Sequence, residues 1–284
     1  MGVVGFAAGL GLVAAGALLY AFSGKLPPNP FVGVRIGYAY VSRKAWVKLV
    51  KVSSILVAAL GAVSAALSLT VGDLPGLMSV GLGSVIITYF LIYYAERVGE
   101  EESLRTPAKQ WEVLKEVPKI PPPAAALLIV IGTAVVSMLY VMVNYPKLPE
   151  QVPSHFGPDW KPNAYSPKSV AVGVTFTNEL IILAVTALLY YLGWRKPEAL
   201  YKPWFDISTY VKVVNTLYIV LALVNMLVGI GSTTMIVYAL NNGMPSWLII
   251  SFDVVLVALL LSVVYLIAVT VKAYRRVRVS YPSP

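Results

Sequence analysis

Seven apolar stretches, separated by shorter polar segments, follow one another along the chain. As a helix, each is long enough to cross a hydrocarbon core of ~30 Å. The pattern predicts an all-α fold, a polytopic membrane protein built as a bundle of seven transmembrane helices. We place the spans near residues 2–22, 46–69, 76–95, 123–144, 169–193, 211–239 and 246–272.

The composition points to the lipid bilayer as the main partner. Of 284 residues, 58% are hydrophobic and 12% charged, whereas soluble domains carry about 25% charged residues. The net charge of +9 requires no nucleic acid, because basic residues gather at cytoplasmic helix ends. The chain has no cysteine, which excludes disulfides and thiolate sites. Only Gln110 and Gln151 are glutamines, a scarcity typical of thermophilic proteins.

The distribution of basic residues predicts the topology. Nineteen of the 22 Lys and Arg residues lie on one side of the seven predicted spans, and only Lys147, Lys161 and Lys168 lie on the other. Basic loops stay in the cytoplasm. We therefore expect the N-terminus outside, the C-terminus inside and the segment 145–168 on the outer face of the cell membrane.

This topology divides the chain into three predicted parts. Residues 1–95 form an N-terminal three-span unit with a cytoplasmic loop at 23–46, and residues 123–284 form a four-span unit with a structured outer loop at 145–168. Between them lies an amphipathic connector, residues 96–122. In this connector a candidate helix N-cap is followed by apolar side chains at helical spacing. We predict a helix that lies on the inner membrane surface or, alternatively, docks a cytoplasmic partner. The residues concerned are Thr106, Pro107, Trp111, Leu114 and Val117.

The stretch NPFVGVRIGYAYVSRKAW, which begins at Asn29, has Asn, Gly and Arg in N-x-x-x-G-x-R spacing. Gly33 and Arg35 complete that spacing, and Trp46 follows eleven residues after the Arg. This stretch resembles the signature of the SdpI-like membrane immunity proteins. The resemblance implies immunity against a peptide toxin and reporting of that toxin to a cytoplasmic regulator. We expect the Arg35 guanidinium to bridge helix-end carbonyls or lipid phosphate.

A second resemblance lies in LPEQVPSHF and the following KPNAYSPK. It is to the outer loop of a membrane domain of unknown function that often accompanies SdpI-like proteins. The matching residues are Leu148, Pro149, Pro153, His155, Pro162, Tyr165 and Lys168. Three positions depart from the family pattern: Gly157, Trp160 and Asn163 stand where the family usually has Asn, Gly and Asp.

The outer loop contains five prolines, which restrict the backbone and predict a stiff, structured cap. The simplest interpretation is that His155, the only histidine, makes a hydrogen bond within this cap. Alternatively the loop is a receptor surface or the lid of a site, in which His155 and Asp159 bind a ligand. As a metal-ligating pair these two residues are a weak signal, because a metal usually takes three or more ligands.

The predicted spans contain two acids, Glu179 in the fifth and Asp253 in the seventh, and we single out with them the amides Asn178, beside Glu179, and Asn225, near the middle of the sixth. No Lys or Arg occurs at a matching depth. A buried carboxylate without a cation is costly, so the acids are expected to be protonated, hydrated or ion-bound. They either form hydrogen bonds between helices or build a proton or cation site beneath the outer loop.

No catalytic triad, phosphate loop or zinc-protease motif is present, so we predict no enzyme and no cofactor. The leading hypothesis is a non-enzymatic membrane protein of SdpI-like type. It would recognise an extracellular peptide or small ligand for immunity or signalling. One alternative is a proton- or cation-coupled transporter or channel that uses Glu179, Asn225 and Asp253. Another is a structural subunit of a membrane complex.

Overall fold

The computed structural model describes residues 2–29, 31–105, 114 and 116–278. Within these residues, seven helices are long and apolar enough to cross a membrane. The predicted all-α membrane fold is confirmed, with one small two-stranded addition. The helices are α1 Val3–Phe22, α2 Arg43–Thr70, α3 Asp73–Arg105, α4 Ala124–Asn144, α5 Lys168–Arg195, α6 Ile207–Asn241 and α7 Ser246–Arg278.

Several helices extend beyond their predicted apolar spans. Helix α3 continues to Arg105, past the predicted end near residue 95. Its last turns are rich in Glu and Arg, which have high helix propensity but do not enter the hydrocarbon core. Hydropathy therefore predicts where the membrane span ends, but not where the helix ends. Of the predicted connector, Leu114 is buried, while residues 106–113, including Thr106, Pro107 and Trp111, lie outside the described residues.

The chain forms two compact units. The loop unit consists of Met1–Pro121, Leu188–Val214 and Val269–Pro284. The hairpin unit consists of Pro122–Ala187 and Asn215–Ala268. One boundary thus falls near the predicted border at residues 122–123, but helices α5, α6 and α7 each contribute residues to both units.

In the loop unit, α1 and α2 approach each other through glycines. A Cβ on Gly9 would lie 2.6 Å from the Ala65 backbone nitrogen, and one on Gly61 would lie 2.5 Å from the Gly9 carbonyl. The Gly5 N–H, a free donor in the first turn of α1, donates to Asp73 Oδ1 at 2.6 Å. The small-residue face of the first span therefore serves close helix packing.

The loop between α1 and α2 is built around Trp46, which is fully buried. The Trp46 Nε1–H donates to the Leu26 carbonyl at 3.0 Å. Gly33 has a φ of 95°, and a Cβ there would lie 3.0 Å from the Trp46 ring. Asn29 Oδ1 accepts the Phe31 N–H at 2.9 Å, which closes the turn before Gly33. Three of the four motif residues thus have structural roles in one ordered loop.

The fourth motif residue, Arg35, bridges no helix-end carbonyls among the described residues, and its expected contact with lipid phosphate stays a prediction. Its side chain is exposed, and within the described part of the chain Arg43 makes the carbonyl contacts instead. The Arg43 guanidinium donates to the Leu26 carbonyl and, at 2.7 Å, to the Gly24 carbonyl. Arg43 is the first residue of α2, and its guanidinium contacts the segment that directly follows α1. Arg35, in contrast, lies in the middle of the loop.

The segment after α4 contains an antiparallel hairpin that the sequence did not predict. Strands β1 Gln151–Phe156 and β2 Pro162–Pro167 pair in a register with irregularities around His155. Both are edge strands of a two-stranded ribbon, so their prolines need not leave ladder hydrogen bonds unmade. The turn is closed by the Gly157 N–H, which donates to the Lys161 carbonyl at 2.8 Å.

The base of the hairpin is anchored in the core of the hairpin unit. Leu148 and Val152 are buried in one cluster with residues of α4, α5 and α6. Lys168 Nζ lies 3.0 Å from Glu150 Oε1 and 5.4 Å from the centre of the Tyr145 ring. The predicted loop is therefore a cap fixed at its base.

Candidate ligand-binding site

A pocket of about 820 Å³ lies in the hairpin unit. Its lining comes from the hairpin and from the adjacent parts of α5, α6 and α7. This volume falls within the ~300–1,000 Å³ typical of small-molecule sites. The hairpin thus covers a cavity large enough for a small ligand or for the end of a peptide.

Aromatic side chains form much of the wall. The Trp160 and Phe252 rings meet edge to face, with centres 5.1 Å apart, and both line the pocket. Phe156, also a lining residue, packs against Tyr238 with ring centres 5.6 Å apart. These contacts join the hairpin to α6 and α7 and give the pocket an apolar surface.

A few polar groups lie among the aromatic ones. Of the described lining residues, Asp253 is the only one with a formal charge when histidine is neutral. Thr234 lines the pocket, and its hydroxyl is buried without a hydrogen-bond partner among the described residues. The other polar lining residues are Ser154, His155, Ser166, Thr175, Asn178 and Ser232.

His155 and Asp159, proposed from sequence as a pair, have different partners. His155 Nδ1 lies 2.5 Å from Asn163 Oδ1, across the hairpin, as the interpretation of a hydrogen bond within the cap predicts. Asp159 Oδ1 accepts the Lys161 N–H at 3.2 Å and stabilises the turn. No group of three or more His, Cys, Asp or Glu is placed to hold a metal in the part of the chain that the structure describes.

The two intramembrane acids occupy different environments. Asp253 and Asn178 are exposed and line the pocket. Glu179 is not among the lining residues; it is fully buried and accepts a hydrogen bond from Ser137 Oγ at 2.7 Å. Successive helical residues point about 100° apart, so Asn178 can face the pocket while Glu179 faces α4.

Asn225 is also fully buried, and its Nδ2–H donates to the Val130 carbonyl at 2.7 Å. Close to this contact, a Cβ on Gly229 would lie 2.6 Å from Thr133 Cγ2. Asn225 therefore joins α6 to α4 at a tightly packed crossing. One of the two interpretations of the intramembrane polar residues was that they form hydrogen bonds between helices, and Asn225 forms such a bond.

Sequence reasoning did not single out Phe252, Ser232 or Thr234 as site residues. Phe252 directly precedes the acid Asp253, and Ser232 follows the small residues Gly229 and Gly231. These neighbours could have drawn attention to both positions in the sequence. Thr234 had no such signal, because a threonine in a membrane helix commonly bonds its own backbone.

The helices and the covered pocket together define a multi-pass membrane protein with a candidate ligand site. Residues 132–177 match the family described as "Domain of unknown function (DUF1648)", which is found in membrane proteins. This match covers the second half of α4, the hairpin and the start of α5, the region with the second sequence resemblance. No curated protein and no solved structure matches the chain. The comparisons do not confirm the resemblance to SdpI-like proteins.

Proposed function

We propose that the protein is a non-enzymatic membrane receptor whose hairpin-covered pocket binds an amphipathic ligand with a positive charge. The ligand class is the end of an extracellular peptide, or a small amine with an apolar body. The observation that carries this proposal is the combination of aromatic walls and one carboxylate, Asp253, in a single pocket. Apolar walls favour the body of such a ligand, and the carboxylate favours its cation.

The charges around the pocket support a cation as the ligand group. The hairpin unit, all of which the structure describes, contains three basic residues besides His155, namely Lys147, Lys161 and Lys168. None of them lines the pocket, and Lys161 and Lys168 lie within 4 Å of Asp159 and Glu150 respectively. Asp253 therefore remains available to a cation that enters from outside.

The role in immunity or signalling rests on the resemblance to SdpI-like proteins, which implies a peptide toxin as ligand. A proton- or cation-coupled transporter that uses Glu179, Asn225 and Asp253 at one site has less support. Only Asp253 of the three lines the pocket.

A pair of probes with nearly the same shape and opposite charge tests the proposal. Tetraphenylphosphonium is a lipophilic cation, and tetraphenylborate is its anionic counterpart. We expect the full chain in nanodiscs to bind the cation above the level of empty nanodiscs. Asp253→Asn should weaken this binding about tenfold, the effect of losing ~1.4 kcal/mol from one charge contact.

Glu100→Gln is the matched control, because Glu100 is an exposed acid of the loop unit. It should leave binding of the cation unchanged. Equal binding of both probes, or equal affinity of Asp253→Asn and the unsubstituted protein for the cation, would overturn the proposed function.

A further inference from the structure

Glu179 is the most deeply buried acid of the hairpin unit, with no exposed surface. Its Oε1 accepts the Ser137 hydroxyl at 2.7 Å, while Oε2 has no partner among the described residues. Asn225, equally buried, has an unpartnered Oδ1. A buried acid oxygen and a buried amide oxygen thus both lack hydrogen-bond partners in the interior of one unit.

No positive charge in this unit lies near enough to compensate an ionised Glu179. Lys168 begins α5, roughly 16 Å before Glu179 along the helix axis, and it contacts Glu150. Helices α4, α6 and α7 contribute no Lys or Arg to the unit. The remaining titratable groups of the unit are Tyr140, Tyr145, Lys147, Glu150, His155, Asp159, Lys161, Tyr165, Tyr218, Tyr238, Asp253 and Tyr265.

An isolated carboxylate in an apolar interior loses its hydration, and one hydroxyl hydrogen bond does not replace it. The charge must be removed or paired with a cation. Metal cations bound by oxygen take about six ligands, and no group of three or more His, Cys, Asp or Glu is placed to hold a metal among the residues that the structure describes. A proton on Oε2 needs no such shell.

We propose that Glu179 is a buried proton-binding site, in which Oε1 is the carbonyl oxygen held by Ser137 and Oε2 bears the proton. One O–H bond forms at Oε2 when the carboxylate is buried, and one bond to hydrogen breaks in the hydronium ion or buffer acid of the surrounding water that gives up the proton. Protonation also turns Oε2 from an unpaired acceptor into a donor.

The position of this site gives the proton a structural consequence. Thr175 and Asn178, on the preceding turn of α5, line the pocket, and Glu179 follows Thr175 by about 6 Å along the helix. The Ser137 hydrogen bond ties α4 to α5 at this level. The protonated acid therefore stabilises the helix pair beside the pocket, whether or not a ligand is present.

Infrared spectroscopy of the ligand-free full chain in nanodiscs at pH 7 tests the proposal directly. A protonated carboxylic acid has a C=O stretching band above the amide I region, and this band shifts in D₂O. We expect Glu179→Gln to remove one such band and Glu100→Gln to leave it in place. Because no ligand is used, the result is independent of the probe-binding test of the proposed function.

Ser137→Ala provides a second readout should Glu179→Gln fail to fold. Loss of the hydrogen bond to the carbonyl oxygen should move the same band to higher frequency. The proposal is overturned if neither substitution changes the carboxylic-acid bands. It is also overturned if the band vanishes when sodium chloride replaces choline chloride, since Glu179 would then bind an alkali cation.

Discussion

At the scale of single residues, Trp160 shows how a backbone conformation and a side-chain contact compete. Its φ is 58°, in the left-handed region that favours glycine. Left-handed backbone costs an L-residue roughly 1–2 kcal/mol. The contact of the Trp160 ring with Phe252 at the pocket wall offsets this strain.

We predict that Trp160→Gly is more stable than Trp160→Ala by about 1 kcal/mol. Both substitutions lose the ring contact, but only Gly adopts this φ without strain. Chemical unfolding of the purified protein in detergent measures the difference. Lys161, whose φ is not positive, is the control position. There Lys161→Gly should be less stable than Lys161→Ala, because glycine loses more backbone freedom on folding. An Ala variant at position 160 as stable as the Gly variant would contradict the prediction.

At the scale of elements, the loop before α2 packs against the segment after α5 within the loop unit. A Cβ on Gly37 would lie 1.8 Å from the Glu198 carbonyl, so only glycine fits there. The Tyr38 hydroxyl donates to Glu198 Oε1 at 2.5 Å, and Lys202 Nζ donates to the Arg35 carbonyl. Burial, reinforced by Glu198, raises the pKa of the Tyr38 hydroxyl.

Lys202 provides a pH prediction for this contact. Burial, and then the Arg35 charge, lower the pKa of Lys202 from 10.5 to about 7. Between these values the unfolded chain holds a proton that the folded protein has released, so the free energy of unfolding should rise with pH. The slope from one proton is at most about 1.4 kcal/mol per pH unit.

We predict that Lys202→Met flattens the pH dependence of the free energy of unfolding between about 7 and 10. Chemical unfolding at a series of pH values measures it. Lys44→Met is the matched control, because Lys44 is exposed at the start of α2, and it should keep the original slope. Parallel curves for the unsubstituted protein and Lys202→Met would show that the lysine does not titrate in this range.

At the scale of the whole molecule, the charge distribution predicts the orientation in the membrane. Nineteen basic residues lie on the predicted inner side and three on the outer side, and such a bias sets topology. A chain with no native cysteine suits labelling by an impermeant maleimide. We predict that Ala164→Cys, exposed on β2, is labelled in intact cells.

Lys44→Cys, at the start of α2, should be labelled only after the cells are permeabilised. The reverse pattern would place the hairpin in the cytoplasm. In that case the charge bias would not set the orientation, and an extracellular ligand could not reach the pocket.

The sequence by itself determined the seven spans, because the length and hydropathy of a segment are local properties. It also located the proline-rich cap and the motif of the loop before α2. It did not predict the hairpin, because strand pairing depends on two segments that meet in space, and frequent prolines hid the strands. Nor did it show that Arg43, and not Arg35, holds the end of α1.

Only the tertiary structure decided which polar residues share a site. In a membrane helix the lipid-facing and protein-facing sides are both apolar, so hydropathy does not reveal which way a residue points. Asp253 and Glu179 therefore looked equivalent in sequence. Glu179 is buried and hydrogen-bonded to Ser137 of α4, whereas the hairpin and Phe252 line a pocket at Asp253.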